Sequence, residues 1–419
     1  MSELRQRSAR APVAEGNARH GKLHHGAAWK TLLTLVASAL GVVMVSGVAV
    51  AGIAAWQLQA NIDTEEIPFD IGGPPPAIAA IEGGFNILLV GSDTRQGQGE
   101  AFGDTDSVLN DVNMLLHVAQ DQQSAVLVSI PRDMVVPLPE CENGGPATGE
   151  PINTTLYYGG LSCTVETVQN LTGLQIQFAG LITFNGVIAM SDAVGGVDVC
   201  INEPILDPYT GLNLPTAGTH SLQGWNALAF LRSRHGVGDG SDLGRISSQQ
   251  VFLSSLVRKI KSDDTLSDFG KLYGIAQAAT QNMTLSEGFA RPDTLVSIAL
   301  ALKNIPLENI AMVQYPSRTG GTGIYLGKVQ PITSTAKALF DAIEADVPIA
   351  LDANAVGANG GSELDPNAPA PTTPDPSATP DPAATPDPSA TPEDAGPTAQ
   401  LVPGLKGQTA AQYTCSVAN

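Results

Sequence analysis

The sequence predicts an α/β protein, with a layered αβα domain around a central mixed sheet, preceded by one transmembrane helix. Three observations predict this class. Apolar runs of strand length alternate with helical patterns over residues 82–349, as they do in α/β domains. A long uncharged run comes before this region, and a proline-rich stretch follows it. Neither flank can belong to a packed core, so we expect one globular domain.

The first 30 residues are basic, and residues 31–56 contain no charged side chain. At about 1.5 Å per residue, a helix over this run spans the roughly 30 Å hydrocarbon layer of a membrane. The excess of Lys and Arg on its N-terminal side predicts that residues 1–30 are cytoplasmic and that the chain after Trp56 is extracytoplasmic. A cleaved signal peptide is the alternative, because Ala49, Val50 and Ala51 resemble a cleavage site. The run continues past that site and is longer than a usual signal-peptide core, which favours a single-pass anchor in the cell membrane.

Residues 57–81 are rich in glycine and proline and predict a spacer between the membrane and the domain. The domain itself is expected at 82–349. Its first strands are predicted at 86–90, 113–119 and 125–130, and its first helices at 164–171, 184–194 and 242–260. Helical and apolar patterns continue through 295–302, 310–314 and 333–343 without a linker.

Residues 350–400 change sharply in composition, and a near-hexad, TPDPSA or TPDPAA, recurs at 373–378, 379–384 and 385–390. Such a segment lacks the apolar content of a core and predicts an extended, disordered tether. Residues 401–419 form a short tail that is too small to fold alone, unless a disulfide holds it to the domain.

The chain has four cysteines, at positions 141, 163, 200 and 415. Outside the cytoplasm thiols oxidise, so an even set predicts two disulfides rather than metal ligands. Three pairings are possible. The short loop between Cys141 and Cys163 favours that pair, which leaves Cys200 for the distant Cys415.

The distribution of positive charge is the most informative feature of the domain. The net charge of −20 makes nucleic acid an unsuitable partner. Between residues 57 and 257 there is no lysine and at least 20 acidic residues, and every arginine lies beside a polar cluster at the end of an apolar run. This arrangement predicts that the arginines converge on one site. They are Arg95, Arg132, Arg232, Arg234 and Arg245.

Two predicted strands end in polar residues. The strand at 86–90 is followed by Gly91 and then by Ser92, Asp93, Thr94 and Arg95. The strand at 125–130 is followed likewise by Pro131, Arg132 and Asp133. Open α/β sheets bind ligands at such strand ends, so these residues are candidate ligand contacts.

Arg232 and Arg234 stand at i and i+2 and would project to the same side of an extended segment, forming a fork suited to phosphate oxygens. Ser241 is a candidate N-cap for the helix that follows. One face of that helix would carry three polar residues beside the same ligand. These are Asp242, Arg245 and Gln249.

Asp93 and Asp111 are candidate ligands for Mg²⁺, or for Mn²⁺ in its place. An anion bound by arginines is expected to bind such a cation as well. A cation on pyrophosphate is usually coordinated by the phosphate oxygens together with one or two Asp side chains. Asp111 opens the strand expected to pair beside the first, which would bring the two carboxylates together. A lone Asp at a strand end is more often a turn or cap residue. The arginine distribution favours the metal site.

These segments together resemble the LytR-CpsA-Psr family of bacterial cell-envelope enzymes. The resemblance implies a transferase that moves a glycopolymer from a polyprenyl-pyrophosphate carrier to peptidoglycan and forms a phosphodiester. Its partners would be that lipid-linked glycan, the peptidoglycan acceptor and the membrane. The motifs that carry it are NILLVGSDTR at 86–95, SIPRDMVV at 129–136, LYYGG at 156–160, FNGVIAMSDAVGGVDV at 184–199 and ALAFLRSRHGVGDGSDLGRISSQQ at 227–250.

Carried over by position, the resemblance assigns roles to the candidate residues. Asp93 and Asp111 match metal ligands. Catalytic roles fall to Arg132, Arg232, Arg234, Arg245 and Asp242, and substrate contacts fall to Ser92, Thr94, Arg95, Asp133 and Gln249. In this mechanism Asp111 or Asp242 orients or deprotonates the acceptor hydroxyl. The runs at 181–184 and 187–194 either line a lipid tunnel or pack in the core.

Three departures from the family pattern leave other functions open. Leu109 and Ser248 stand where the family often has Arg, and Pro151 replaces the Lys of a Lys-Ile-Asn motif. The lost cations favour, as one alternative, a non-catalytic binder or regulator of lipid-linked wall intermediates. The other alternative is a polyprenyl pyrophosphohydrolase, in which water replaces the sugar hydroxyl.

Overall fold

The computed structural model describes residues 28–59, 63–65, 83–95, 98, 108–145, 149–262, 269–352, 354–357, 360–368 and 399–419. The chain divides into two compact units, Met1–Ala55 and Trp56–Asn419. Helix α1, Ala28–Gln59, covers the apolar run at 31–56. Within the described residues, no helix combines the length and apolar character that crossing a membrane needs. The predicted basic segment at 1–30 lies almost wholly outside the described residues.

The second unit is an α/β domain. Its helices, in chain order, are α2 Thr155–Thr172, α3 Phe184–Ala193, α4 Trp225–Arg232, α5 Asp242–Lys261, α6 Phe269–Asn282, α7 Pro292–Asn304 and α8 Thr333–Glu344, with short 3-10 helices at Ile152–Thr154, Leu307–Asn309 and Gly323–Tyr325. Its strands are β1 Asp63–Glu65, β2 Phe85–Ser92, β3 Asn110–Val118, β4 Ala125–Ile130, β5 Val135–Val136, β6 Glu150–Pro151, β7 Phe178–Ile182, β8 Val197–Ile201, β9 Ile205–Asp207, β10 Leu212–Leu214, β11 Gly218–Leu222, β12 Met283–Ser286, β13 Ile310–Gln314, β14 Ser317–Arg318, β15 Gln330–Pro331, β16 Ile349–Ala350, β17 Ser362–Leu364, β18 Gln400–Leu401, β19 Gly407–Thr409 and β20 Thr414–Ser416.

The central sheet has eight strands in the order β1-β12-β7-β2-β3-β4-β13-β19. It is mixed, because β1 with β12, β7 with β2 and β4 with β13 are parallel and the other neighbours are antiparallel. The predicted α/β class with a central mixed sheet is therefore confirmed. The helices and strands predicted between residues 86 and 260 are all present. Their bounds agree within three residues, except that α2 begins at Thr155, nine residues before its predicted start.

Alternate residues of the central strands enter two separate cores, as the pleat of a strand requires. Leu88 and Val90 on β2 pack on the same side as residues of α2 and α8. Phe85 and Ile87 on the same strand face the other side, where α5 and α7 contribute apolar residues. The sheet therefore lies between two helical layers, as predicted.

A second sheet, in the order β11-β8-β20-β17, lies against α4 and α5 and has its own apolar core. Two disulfides join Cys141 to Cys163 and Cys200 to Cys415. The favoured pairing of the four cysteines is thus confirmed. The second disulfide joins adjacent strands, because Cys415 on β20 stands opposite Cys200 on β8.

The predicted domain boundaries need correction at both ends. β1, inside the predicted spacer at 57–81, pairs with β12. Beyond residue 349, β17 pairs with β20 and β19 extends the central sheet beside β13. The tail at 401–419 is therefore part of the domain. The described residues on both sides of the repeats belong to one unit, so the expected tether at 350–400 begins and ends on the same domain. The repeats themselves lie outside the described residues.

Candidate active site

The predicted site residues lie at the ends of the central strands β2, β3 and β4, along one side of the sheet. β2 ends at Ser92 and its neighbour β3 starts at Asn110, with these two residues paired. β4, antiparallel to β3 on its other side, ends at Ile130. Asp93, Asp111 and Arg132 therefore lie at the same edge, as the sequence predicted for residues that follow strand ends.

Asp242 is the centre of the arginine cluster. Its Oδ1 atom lies 2.6 Å from Arg245 Nη2, 2.7 Å from Arg234 Nη2 and 3.9 Å from Arg132 Nε. The helix starts where predicted, since Ser241 Oγ accepts a hydrogen bond from Gly244 N at 3.1 Å. That cap fixes Asp242 and Arg245 one turn apart on α5, so the predicted shared face of the helix is confirmed for this pair.

Two further carboxylates border the three guanidinium groups. Arg132 Nη1 donates to Asp111 Oδ1, and Arg245 Nη2 donates to the Asp111 carbonyl oxygen at 2.7 Å. Asp133 Oδ2 lies 3.7 Å from Arg234 Nη2 and 3.8 Å from Arg132 Nε. Residues from β3, from the loop after β4, and from both sides of the Ser241 cap thus meet in one charged cluster.

The cluster contains buried donors that the protein itself does not satisfy. Among the described residues, the Nε atoms of Arg132, Arg234 and Arg245 and the Oδ2 atom of Asp242 are buried without a hydrogen-bond partner. Leaving a charged donor unpaired away from water is costly, and such groups are rare in folded proteins. Three guanidinium groups with unmet donors are therefore suited to an anionic ligand.

The protonation states in the cluster follow from burial and charge. Burial opposes ionisation of Asp242, but Arg245, Arg234 and Arg132 together hold the pKa of its carboxyl below the ordinary value. A carboxylate in that state is a poor proton acceptor, so Asp242 is better suited to gathering arginines than to acting as a base. Burial lowers the pKa of Arg245, against the opposing effect of Asp242.

Arg232 lies apart from the Asp242 contacts and has different surroundings. Its Cζ atom is 4.2 Å from the centroid of the Phe184 ring. Burial lowers the pKa of Arg232, Asp111 and Asp93 raise it, and Arg95 lowers it. The expectation of an extended segment was wrong, because Arg232 is the last residue of α4. Arg232 and Arg234 therefore contact different partners and do not form a parallel fork.

The loop after β2 is stabilised by its own polar side chains. Ser92 Oγ accepts a hydrogen bond from Thr94 N at 3.0 Å, and Asp93 Oδ1 accepts one from Leu109 N at 2.9 Å. Gln98 Nε2 donates to the Thr94 carbonyl oxygen, while Gln98 Oε1 accepts from Asn185 N at 3.0 Å. These contacts fix the predicted residues at 92–95 beside the first turn of α3.

Sequence reasoning missed a buried aspartate that positions the arginines. Asp207, on β9, is fully buried. Its Oδ2 atom accepts hydrogen bonds from Ser233 Oγ at 2.7 Å and from Arg234 N at 3.2 Å, and its Oδ1 atom accepts from Tyr209 N at 3.0 Å. It therefore holds the backbone between Arg232 and Arg234. No local pattern around position 207 indicated this role.

Known proteins resemble this chain over most of the domain. The model of the LytR_cpsA_psr family matches residues 58–341. The chain belongs to this family. The family match includes the whole charged cluster, from Asp93 to Arg245, and it ends before β17, β19 and β20.

Two relatives illustrate the range of the family. The cell wall biosynthesis protein LcpA of Corynebacterium glutamicum is 31% identical over 278 residues, which cover 59% of this chain and 52% of the relative. The polyisoprenyl-teichoic acid–peptidoglycan teichoic acid transferase TagT of Bacillus subtilis is 27% identical over 261 residues, covering 61% of this chain and 76% of the relative. The chain thus matches about half the length of the Corynebacterium relative.

Solved structures agree with the fold. A LytR-Csp2A-Psr enzyme from Actinomyces oris superposes with a TM-score of 0.50 at 22% identity, covering 67% of this chain and 96% of that one. The protein gbs0355 from Streptococcus agalactiae superposes with a TM-score of 0.52 at 23% identity, covering 63% and 88% of the two chains.

Two residues of the predicted site motifs contact neighbouring elements of the fold. Ser248, where the family often has Arg, is buried and its Oγ lies 2.7 Å from Ser416 Oγ, so it faces the C-terminal strand β20. Gln249, a predicted substrate contact, donates from Nε2 to the Leu231 carbonyl oxygen at 2.9 Å. It therefore fastens α5 to the end of α4, next to Arg232.

Proposed function

We propose that this protein transfers a glycopolymer from a polyprenyl-pyrophosphate carrier to a hydroxyl of peptidoglycan. In the reaction, the acceptor oxygen forms a bond to the phosphorus that carries the glycan. The bond from that phosphorus to the bridging oxygen of the pyrophosphate breaks, and polyprenyl phosphate leaves. The product is a phosphodiester, and the proton of the hydroxyl passes to a base.

The observation that carries the proposal is the meeting of Arg132, Arg234 and Arg245 around the buried Asp242, with their three Nε donors unpaired. Guanidinium groups match phosphate oxygens in geometry and remain charged at all physiological pH values. Donors fixed in place before the reaction stabilise charge that develops on a leaving phosphate. The name of the TagT relative, which describes transfer from a polyisoprenyl carrier to peptidoglycan, supports the same reaction.

We further propose that Asp93 and Asp111 hold Mg²⁺ or Mn²⁺. They flank the paired ends of β2 and β3, and both raise the pKa of the Arg232 guanidinium against the effect of burial. Their carboxylate oxygens fit the hard donor set that Mg²⁺ prefers. Five guanidinium groups and four carboxylates meet here, which leaves one net positive charge for a pyrophosphate that is ionised on both phosphates. When bound, the cation would supply the missing positive charge and polarise a phosphate oxygen.

The residues divide the work by their surroundings. Arg132, Arg234 and Arg245 bind the pyrophosphate oxygens, and Arg232, stacked on Phe184, extends the positive surface toward Arg95. Asp242 keeps the three guanidinium groups together. Asp133 is the carboxylate proposed to orient or deprotonate the acceptor hydroxyl, because its side chain is 26% exposed whereas that of Asp242 is 5% exposed.

Apolar side chains in the middle of the central sheet are only partly buried, which supports a binding space for the lipid there. β2 and β3 have neighbours on both sides, yet Leu89, Val112 and Leu116 on these strands are only partly buried. They point to the sheet face that carries α5 and α7. A polyprenyl chain would cover such residues and remove their apolar surface from water.

The location proposed for the domain is the outer side of the cell membrane, with the apolar run at 31–56 as a single-pass anchor. Both disulfides support an oxidising compartment, because cytosolic proteins rarely keep such bonds. The acceptor and the lipid-linked donor would both be available there.

The test follows a glycan label. Full-length protein in detergent micelles is mixed with a polyprenyl-pyrophosphate-linked glycan, isolated peptidoglycan and Mg²⁺. Transfer predicts label on the peptidoglycan, lost when EDTA removes the metal and lost in Arg132→Ala. The exposed Arg318, outside the cluster, provides the matched control Arg318→Ala, which should transfer normally.

Each other outcome would indicate a different function for this protein. Label released as soluble glycan would make the protein a pyrophosphohydrolase. Label that remains on the lipid, although the lipid binds the protein, would make it a binder or regulator. Label on peptidoglycan without need of any cluster arginine would sink the proposed site.

A further inference from the structure

The C-terminal segment (residues 407–419) returns to the domain and ends beside the arginine cluster. Its strand β19 lies at the edge of the central sheet, and β20 lies between β8 and β17 in the second sheet. The disulfide from Cys415 to Cys200 fastens β20 to β8. The family match stops at residue 341, before this segment.

The residues after β20 bind the loop that connects Arg234 to Asp242, here called the 235–241 loop. Gly238 N donates to the Val417 carbonyl oxygen at 2.8 Å, and Asn419 N donates to the Gly236 carbonyl oxygen at 3.2 Å. Val237 and Ala418 form an antiparallel bridge. Residues 236–238 of the 235–241 loop are therefore bound to residues 417–419.

The Asn419 side chain adds a further contact, because its Nδ2 atom donates to the His235 carbonyl oxygen at 3.1 Å. On the opposite side of residues 417–419, Ala418 N donates to Asn202 Oδ1 at 3.0 Å and Val417 N donates to the Gly361 carbonyl oxygen at 3.2 Å. Residues 417–419 thus contact residues beside the second sheet on one side and the 235–241 loop on the other side.

The same strand supports the start of α5, the helix that carries Asp242 and Arg245. Ser248 Oγ lies 2.7 Å from Ser416 Oγ and 3.3 Å from the Gly361 carbonyl oxygen. Gly361 is in close contact with the helix, since a Cβ at this position would meet the Gly244 carbonyl oxygen and would lie 2.7 Å from Ser247 Cβ. Glycine at 361 lets the C-terminal part of the domain pack directly on the first turn of α5.

We infer that residues 417–419 are a positioning element of the active site, which sets the 235–241 loop and thereby the mutual placement of Arg234 and Asp242. This inference rests on the proposed function, because it assigns these residues to the pyrophosphate site. Arg234 and Asp242 stand at the two ends of one loop, their side chains are 2.7 Å apart, and residues 235–238 of that loop bind residues 417–419.

The probe is farnesyl pyrophosphate with Mg²⁺, and its dissociation constant is measured by calorimetry on the full chain in detergent micelles. Deletion of Ala418 and Asn419 removes the bridge to Val237 and the contacts to Gly236 and His235. We expect binding to weaken roughly tenfold to a hundredfold, the effect of a small displacement of binding groups. Asn419→Ala keeps the backbone contact and should weaken binding by a smaller factor.

Tyr413→Ala is the matched control. Tyr413 lies in the same segment but contacts Arg258, at the far end of α5, so its loss should lower the melting temperature without changing the affinity for the probe. A merely structural role of residues 417–419 predicts the same behaviour for the deletion variant, that is, a lower melting temperature and unchanged affinity. That result would overturn the inference.

The outcomes of this experiment distinguish a failure of the proposed function from a failure of the positioning role. If the unaltered protein does not bind farnesyl pyrophosphate, the proposed function fails. If it binds and both the deletion variant and Asn419→Ala bind as tightly, only the positioning role fails. Should the deletion variant not fold, the affinity of Asn419→Ala relative to Tyr413→Ala decides.

Discussion

Helix α5 carries an arginine near each end, and the two are held in opposite ways. Arg258, near the C-terminal end, donates from Nη1 to the carbonyl oxygens of Ala410 and Gln412 at 2.8 and 3.0 Å, and its Cζ lies 4.4 Å from the Tyr413 ring. Arg245, near the N-terminal end, contacts the Asp242 carboxylate and leaves its Nε without a partner among the described residues.

The difference distinguishes a structural arginine from a ligand-binding one. Carbonyl oxygens and an aromatic face satisfy Arg258 within the fold, so its charge fastens the C-terminal segment to the helix. Arg245 belongs to a cluster of three guanidinium groups and three carboxylates, in which its Nε atom has no partner among the described residues. An unpaired buried donor of this kind is suited to an anionic ligand. The comparison predicts that substitutions at the C-terminal end of α5 change stability alone, whereas those at the N-terminal end change activity.

The largest effect is expected for Asp242→Asn, which removes the charge shared by Arg132, Arg234 and Arg245. Breaking a buried ion pair by neutralising one partner costs about 3–5 kcal/mol, because the remaining charges repel one another without compensation. We expect the free energy of unfolding, measured with urea at pH 7, to fall by that amount. Transfer activity should be lost as well, since the arginines separate.

The pH dependence of the same variant checks the cause. The pKa of Asp242 is lowered below 3.8 in the folded protein, so its ionisation stabilises the fold above pH 3.8 and this stabilisation disappears as the pH falls through the folded pKa. The difference in unfolding free energy between the unaltered protein and Asp242→Asn should therefore shrink at pH 3. An equal difference at pH 3 and pH 7 would point to lost packing instead.

Arg234→Ala should reduce catalysis more than stability. The side chain binds the proposed pyrophosphate and its loss removes one preorganised donor, which costs about 2.7–4 kcal/mol, or roughly a hundredfold to a thousandfold in kcat. Single-turnover transfer of a labelled glycan measures this effect. Arg318→Ala, on an exposed strand outside the cluster, should retain full activity. A tenfold or smaller loss in Arg234→Ala would remove this arginine from the site.

Local sequence signals predicted the parts of the site that lie close together in the chain. Ser241 as N-cap and the spacing of Asp242 and Arg245 follow from helix geometry, and the structure has both. The sheet edge with Asp93 and Asp111 follows from the ends of two apolar strands. In each case the residues are fixed by one element or by two neighbouring strands, where periodicity carries the information.

The sequence could not predict contacts between distant parts of the chain. Asp207 meets Ser233 and Arg234 through the fold alone, and nothing in its neighbours announces a buried carboxylate. β19 and β20 are three residues each, too short to produce a periodic pattern, and they follow a proline-rich stretch. The single useful signal was Cys415, whose pairing with Cys200 required the segment to return to the domain.

Arg258→Ala tests the prediction for the C-terminal end of α5. The side chain loses two hydrogen bonds to carbonyl oxygens, one to Ser255 Oγ and its contact with the Tyr413 ring. Charged hydrogen bonds of this kind contribute about 2 kcal/mol in total, so the melting temperature should fall while kcat stays within about twofold. The Cys200–Cys415 disulfide holds β20 independently of Arg258, which keeps residues 417–419 on the 235–241 loop. A large loss of kcat would show that the two ends of α5 are not independent.

The smallest effect is expected for Asp207→Asn. Asp207 is a buried structural residue, and it positions Arg234, which is proposed to bind the ligand. Its partners Ser233 Oγ, Arg234 N and Tyr209 N all donate to the carboxylate. An amide must turn its NH₂ group toward at least one of them, so one hydrogen bond is lost and two donors face each other. We expect a loss of about 1–2 kcal/mol in unfolding free energy and a several-fold lower kcat, while the exposed Asp198→Asn on β8 changes neither. If stability falls and kcat does not, Arg234 reaches its position without Asp207, and the guanidinium contacts with Asp242 alone set the geometry of the site.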